Sequence, residues 1–252
     1  IFPDCYTAKQ RLRHWLIAPK IQCKNAHAIL CPSQNSKRDV VEHWGIEENK
    51  VKVIYPGLTS LFAIPAANKQ QVKKKYHLPE HFVLYLGTLE PRKNIIGAID
   101  AFTSTPRVTN AGYQFIIAGP KGWHYEKIMK KIAGTKQVRY IGYVEGQEKK
   151  ALYELADLLV FPSLYEGFGF PVLEAMSAGT PVVTSNRSSL PEVTANAAYL
   201  VNPIDIHDIG VGIERMLDDE ELMIRMVKKA KERSLGFTWH ATAEQLLSNI
   251  FV

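Results

Sequence analysis

The sequence predicts an α/β fold built on a doubly wound parallel sheet, and three observations predict it. Short apolar strands alternate with amphipathic helical stretches over nearly the whole chain of 252 residues, the pattern of parallel βα packing. The composition, 46% hydrophobic and 22% charged, is that of an ordinary globular protein, large enough to bury one core or one domain plus part of another. The loops richest in Gly, Pro and charge follow apolar strands, which is where such sheets place ligands.

Taken in order, a helix is expected over residues 7–24, a strand over 28–31, a helix over 36–44 and a strand over 51–54. Tyr55-Pro56-Gly57 then breaks the chain, since a Pro-Gly pair is a strong punctuator. A polar stretch runs from there to about Pro79, and the domain boundary is placed at its start, between residues 57 and 58. A fuller series follows, with strands expected over 82–86, 114–118, 138–141, 158–161, 181–184 and 198–200. Between them fall helices over 94–103, 125–132, 147–155, 171–178 and 189–194. The tail carries helices over 206–217, 220–234 and 238–251, the last opened by Thr238 as an N-cap.

Two post-strand loops carry the chemistry. The first reads Gly87-Thr88-Leu89-Glu90-Pro91-Arg92-Lys93-Asn94. Asn94 suits an N-cap, and a helix start with free N–H groups welcomes an anion. Arg grips phosphate oxygens in a fork, while Lys adds a compact charge. Alone, an Arg-Lys pair on a solvated turn explains these residues equally well.

The second loop reads Ser163-Leu164-Tyr165-Glu166-Gly167-Phe168-Gly169-Phe170-Pro171 and leads into a helix containing Glu174. Gly167 and Gly169 let backbone approach a ligand, and successive N–H groups can form an anion nest. Glu166 and Glu174 are placed to face one cleft, where carboxylates accept hydrogen bonds from sugar hydroxyls. Helix-dipole preference accounts for a first-turn Glu174, and a solvated loop for Glu166, but neither accounts for the paired glycines beside a cationic loop.

The net charge of +6 favours anionic partners. The basic residues are dispersed, the densest group being Lys73-Lys74-Lys75 on an expected solvated helix face, and no RNA-binding signature occurs. Cys5, Cys23 and Cys31 are odd in number and irregular in spacing, which fits reduced thiols and no metal site. No apolar run approaches the roughly 18 residues that span a bilayer. The start, Ile1-Phe2-Pro3-Asp4-Cys5, has no initiator Met or signal-peptide pattern and reads as a chain entered in the middle.

Residues Glu166 to Glu174 resemble the E-x7-E motif of the retaining glycosyltransferases of family 4, which have the GT-B fold. Gly87 to Asn94 is similar to that family's G-x-x-x-x-[RK]-K-[GN] loop, and Pro181 to Thr184 and Leu190-Pro191-Glu192 stand where the family has them. Ala28 to Ser33 and Val51 to Gly57 resemble the end of its N-terminal domain, so the resemblance covers almost the entire chain.

The resemblance implies a GT-B arrangement: residues 1–57 as the remnant of an N-terminal acceptor domain, 58–235 as the nucleotide-sugar domain, and 236–252 as a C-terminal helix packing back. It implies that Arg92 and Lys93 hold the donor diphosphate. Glu166, in the catalytic place, lies at the transferred sugar with Gly167, Phe168, Gly169 and Phe170, while Glu174 binds the ribose hydroxyls. Tyr143 and Val144 resemble the segment lining the nucleobase, although Tyr143 reads equally as a packing aromatic. Gly119 ends a strand at the same cleft, and Lys121 is a phosphate or base candidate or a solvated turn residue.

The reaction implied is metal-free and cofactor-free transfer of a sugar from a nucleotide-diphosphate donor to a glycan or lipid-linked acceptor, with retained anomeric configuration. The runs Leu12-Arg13-His14-Trp15 and Gly122-Trp123-His124-Tyr125 look like bacterial mannosyl- or rhamnosyltransferases of surface-polysaccharide, including lipopolysaccharide, synthesis. A mannose donor, GDP-mannose, follows, with a cytoplasmic enzyme peripheral at the inner face of the membrane. Two departures stand: Thr88 replaces an Arg found in some members, and most of the N-terminal domain, with its acceptor site, is missing. A glycoside hydrolase using Glu166 and Glu174, and a binding module that transfers nothing, are the rival readings.

Overall fold

The computed structural model describes residues 7–58 and 67–250. Helices α1 (Ala8–Ile17) and α2 (Pro19–Asn25) replace the single helix expected over 7–24. Ala18 separates them in the left-handed region at φ 45°, because the residue before a proline is driven out of the right-handed helical region. Strand β1 (Ile29–Cys31) leads into α3 (Gln34–Trp44), and β2 (Val51–Val53) pairs with β1 in a parallel two-stranded sheet. Ser33 caps α3 by accepting from Ser36 N at 3.0 Å, and Gly45 closes it at φ 64°, as N-cap and left-handed C-cap preferences require. Cys31, Ile46 and Val51 form a small core with Cys23 and Trp44 against it. Cys23 and Cys31 are free thiols; Cys5 lies outside the described residues.

The larger unit begins with α4 (Lys69–Lys75), capped by Asn68, the solvated helix expected for Lys73, Lys74 and Lys75 within the polar stretch. Its four lysines are exposed. Then come β3 (Phe82–Leu86), α5 (Ile95–Thr103), α6 (Pro106–Asn110), β4 (Gln114–Ala118), α7 (Glu126–Ala133), β5 (Val138–Tyr140) and α8 (Gly146–Leu155). The series continues with β6 (Leu158–Phe161), α9 (Phe170–Ala178), β7 (Val182–Ser185), α10 (Leu190–Thr194) and β8 (Tyr199–Val201). It ends with α11 (Ile206–Asp218), α12 (Glu220–Ser234) and α13 (Trp239–Ile250).

All pairings in the six-stranded sheet are parallel, in the order β5-β4-β3-β6-β7-β8. Every residue of β3, β6 and β7 is buried, as expected for strands covered on both faces. The chain winds outward from β3 to β5, then returns to lay β6 on the other side of β3. That reversal is a topological switch point, and the crevice beyond the carboxyl ends of β3 and β6 is where such sheets bind ligands. Both chemistry-bearing loops open there.

Helix α13 returns to residue 55: Gln245 Oε1 accepts from Tyr55 N at 3.0 Å, and Thr242 Oγ1 donates to Tyr55 O at 2.8 Å. Thr238 caps α13 by accepting from Ala241 N at 3.1 Å. Among the described residues no helix is long and apolar enough to cross a membrane, and no His, Cys, Asp and Glu group could hold a metal.

Candidate active site

The loop after β3 folds into a short 3-10 turn, Pro91–Lys93, that turns both cations inward. Lys93 is only 9% exposed. The expected Asn94 cap fails: its backbone is left-handed at φ 54°, and its side-chain amide donates to Pro203 O at 2.5 Å instead. That bond ties the loop to the segment after β8.

The loop after β6 meets it directly. Leu164 N donates to Arg92 O at 2.9 Å. Arg92 Nη1 lies 3.1 Å from Glu166 Oε2, and Lys93 Nζ lies 2.5 Å from Glu166 Oε1. Arg92 also ion-pairs with Glu90 and donates to Tyr165 O. Ser163 Oγ donates to Glu166 Oε1 at 2.7 Å, and Glu166 N donates to Ser188 Oγ at 2.9 Å. Glu166 is thus buried, at 6% exposure, with both oxygens engaged, and the solvated-loop alternative for it is excluded.

Glu90 and Ser163 escaped the sequence reading. Glu90 is 2% exposed, and burial raises its pKa, opposed by Arg92 and Lys93. For Arg92 burial acts to lower the pKa, but the Glu166 and Glu90 carboxylates carry it upward overall. Two cations and two carboxylates make a cluster of zero net charge in a poorly hydrated place.

The second carboxylate has its own partners. Glu174 Oε1 and Oε2 lie 2.6 and 2.5 Å from Lys149 Nζ, and Tyr153 Oη donates to Glu174 Oε2 at 2.8 Å. Glu174 is the fifth residue of α9, outside its first turn, so helix-dipole preference does not explain it. Tyr153 is fully buried, and burial, with Glu174 beside it, holds its phenol well above the ordinary value. Lys149 and Tyr153 lie on one face of α8 at i and i+4; the 25-residue separation of Lys149 from Glu174 left no local sequence signal.

A cavity of about 390 Å³ lies between these clusters, lined by Gly87, Lys93, Gly119, Val144, Lys149 and Pro171 among others. Each lining lysine is paired to one of the two glutamates. Tyr143 also lines it and is 66% exposed, so it is not a packing aromatic. Gly119, at φ 136°, is compelled by close approach: a Cβ there would sit 2.0 Å from Gly87 O. Arg92, Glu166, Glu174, Lys121 and the Gly167–Phe170 segment do not line the cavity: Arg92 and Glu166 stand behind Lys93, Lys121 Nζ sits over the Tyr125 ring at 5.2 Å, and Phe170 is 41% exposed. Phe168 is buried among Leu173, Val193 and Phe237, and Gly167 offers its carbonyl to Ser33 Oγ at 2.8 Å.

The spacing of Ser189-Leu190-Pro191-Glu192 is that of a capping box opening a helix, but the structure forms none. Ser189 is fully buried with its Oγ 2.9 Å from both Glu166 O and Phe168 O. Glu192 accepts from Gln34 N at 2.8 Å, Asn35 N at 3.3 Å and Tyr55 Oη at 2.7 Å. It caps α3, more than 150 residues away in sequence, because a carboxylate is a strong acceptor for orphan helix N–H groups.

Residues 67–233 match the family described as Glycosyl transferases group 1, and residues 3–59 match Glycosyltransferase Family 4. The O-antigen chain mannosyltransferase B of Escherichia coli is 32% identical in an alignment of 249 residues that covers 96% of this chain and 65% of that protein. The serotype-specific mannosyltransferase WbdA of Escherichia coli is 34% identical in an alignment of 248 residues that covers 94% of this chain and 30% of that protein. The chain therefore spans less than two thirds of the length of either relative. Among solved structures, Anabaena HepE in complex with UDP and glucose aligns with a TM-score of 0.82 at 19% identity, over 99% of this chain and 68% of that one.

Proposed function

The chain belongs to the group 1 glycosyltransferases, with a fold of GT-B type, and on that premise we propose that it holds a nucleotide-diphosphate sugar in the cleft beyond β3 and β6. The sugar is mannose, carried as GDP-mannose, and it passes to a glycan or lipid-linked acceptor with retention of configuration. The names of the two Escherichia coli relatives support the choice of mannose. Roles follow the placement: Arg92 and Lys93 for the diphosphate, Glu166 and the Gly167–Phe170 backbone for the sugar, Glu174 for the ribose, Tyr143 and Val144 for the base.

One observation carries this reading: Arg92 and Lys93 from one switch-point loop meet Glu166 from the other, at 3.1 and 2.5 Å, beside the cavity. Buried ion pairs contribute little net stability, because desolvation costs several kcal/mol per ion. Apolar residues would hold these loops as well. A charged cluster at a ligand crevice is better explained by what it binds.

In transfer, the bond between the anomeric carbon and the leaving phosphate oxygen breaks, leaving positive charge on the carbon and negative charge on the phosphate. Arg92 and Lys93 stabilise the latter as preorganised cations. The acceptor hydroxyl attacks from the leaving-group face, and its proton passes to the departing phosphate. No cofactor or metal takes part. The net charge of +6 supports peripheral association with an anionic membrane surface from the cytoplasmic side.

Calorimetric titration with GDP, GDP-mannose, UDP and UDP-glucose tests the donor, and NMR of the product tests the configuration. The reading expects GDP-mannose to bind and the new linkage to keep the donor's anomeric form. Failure of every nucleotide to bind, or an inverted product, removes it.

A further inference from the structure

A second cavity, of about 530 Å³, lies between α3 and the Glu166 loop, lined by Ser36, Asp39, Val40, His43, Trp44 and Tyr165. The α3 residues stand at i, i+3, i+4, i+7 and i+8, so one helix face supplies them all. They combine aromatic surfaces, a carboxylate, an imidazole and a hydroxyl. No Lys or Arg is among them. Aromatic faces match the C–H faces of a pyranose, and carboxylate and imidazole match its hydroxyls. The volume falls within the roughly 300–1,000 Å³ of small-ligand sites.

Its position ties it to the chemistry. Tyr165 forms one wall, its carbonyl accepts from Arg92, and Glu166 follows it in the chain. Ser36 Oγ donates to Gly167 O at 3.2 Å. Tyr165 Oη donates to Asp39 Oδ2, which also accepts from Asn35 Nδ2 at 3.1 Å. Among the described residues the hydrogen bonds to Asp39 reach Oδ2, while Oδ1 lies 3.9 Å from His43 Nε2. The carboxylate is therefore oriented by the loop and presents an oxygen beside an imidazole that is more than half exposed. The two cavities are linked through Glu166, which pairs with Lys93 in the lining of the donor cleft and follows Tyr165 in the wall of this one.

We infer that this second cavity is a subsite for the acceptor glycan, selecting neutral saccharide units by stacking on Trp44 and Tyr165 and by hydroxyl contacts with Asp39 and His43. The acceptor role rests on the donor reading above; the saccharide binding does not.

The test uses saturation-transfer NMR titrations of α-linked mannotriose against the wild-type chain, Trp44→Ala and His43→Ala, with GDP titrated into the same samples. His43 is half-exposed, so its variant keeps the fold even if loss of Trp44 disturbs the small core. The inference expects mannotriose to bind the wild type, at least fivefold weaker binding in both variants, and GDP affinity unchanged within twofold. It also expects mannose 6-phosphate not to compete. Absence of mannotriose binding, or equal binding by the wild type and His43→Ala, overturns the subsite while GDP binding leaves the donor reading standing. Competition by mannose 6-phosphate overturns its selectivity for neutral sugars. If GDP fails to bind the wild type, the donor reading falls and takes the acceptor role with it.

Discussion

Lys93 Nζ and Glu166 Oε1 lie 2.5 Å apart, joining two loops 73 residues apart in the chain, both side chains almost wholly buried. Removing one partner leaves a buried charge with fewer compensating groups. Lys93→Met is expected to lower stability by about 3 kcal/mol, near the low end for breaking a buried pair because Arg92 remains. Lys93→Met with Glu166→Leu is expected to recover most of that loss while nucleotide binding stays roughly tenfold weaker, the loss of one charge-assisted hydrogen bond of about 1.5 kcal/mol. Denaturant unfolding measures the first effect and calorimetry the second. A double variant that binds as tightly as wild type would separate this pair from the donor.

Glu174 holds Lys149 and Tyr153 at the far side of the cavity. Glu174→Gln keeps the shape and removes the charge. The expected result is roughly tenfold weaker nucleotide binding, about 1.4 kcal/mol, with a melting temperature within a few degrees of wild type. An unchanged dissociation constant would confine Glu174 to a structural role.

Gly119 presses against Gly87 where the donor loop leaves β3. Because an added Cβ would lie 2.0 Å from Gly87 O at a φ of 136°, Gly119→Ala is expected to lower stability by about 2 kcal/mol or more. The cavity would deform with it. Gly112→Ala, at a φ of 83° with nothing within 4 Å, provides the contrast: strain without collision, and a smaller loss by denaturant unfolding.

Tyr55 links α10, α13 and the segment after β2. Burial, with the hydrogen bond to Glu192, pushes its phenol up to about 12. A raised acid stabilises the fold fully below its unfolded value near 10, and this contribution is lost as pH rises toward 12. Tyr55→Phe is therefore expected to be less stable than wild type at pH 9, with the gap closing between pH 10 and 12. Thermal melts of both proteins across that range measure it; a gap independent of pH would mean that the phenol proton is not what holds Glu192.

The strands β3, β4 and β6 were legible in the sequence to the residue, because continuous apolar runs bounded by polar loops have little alternative. The two loops were legible for the same reason: chemistry-bearing residues follow buried strands. What stayed hidden depends on contacts distant in the chain. Asn94 reads as a cap until Pro203 is brought to it, and Ser189 and Glu192 read as a capping box until α3 arrives. Glu90 looks like a surface acid because its burial is created by the loop it sits in. Lys149 gives no signal at all, since only the packing of α8 on α9 sets it beside Glu174. Helix α4 shows in the sequence only through its lysine run, because its seven residues carry a single buried apolar side chain, Val72.

On the proposed function, the Arg92–Lys93 loop and the Glu166 loop form one diphosphate-binding crevice. Because both cations are buried against Glu90 and Glu166, charge reversal would crowd carboxylates together and unfold the loop, so Arg92→Gln with Lys93→Gln is the suitable variant. Calorimetric titration of GDP into wild type and this double variant, with circular dichroism confirming that both are folded, tests the claim most directly. Two charge-assisted hydrogen bonds at about 1.5 kcal/mol each give an expected loss of roughly a hundredfold in affinity. An unchanged affinity in a folded variant would show that these two cations do not hold the diphosphate.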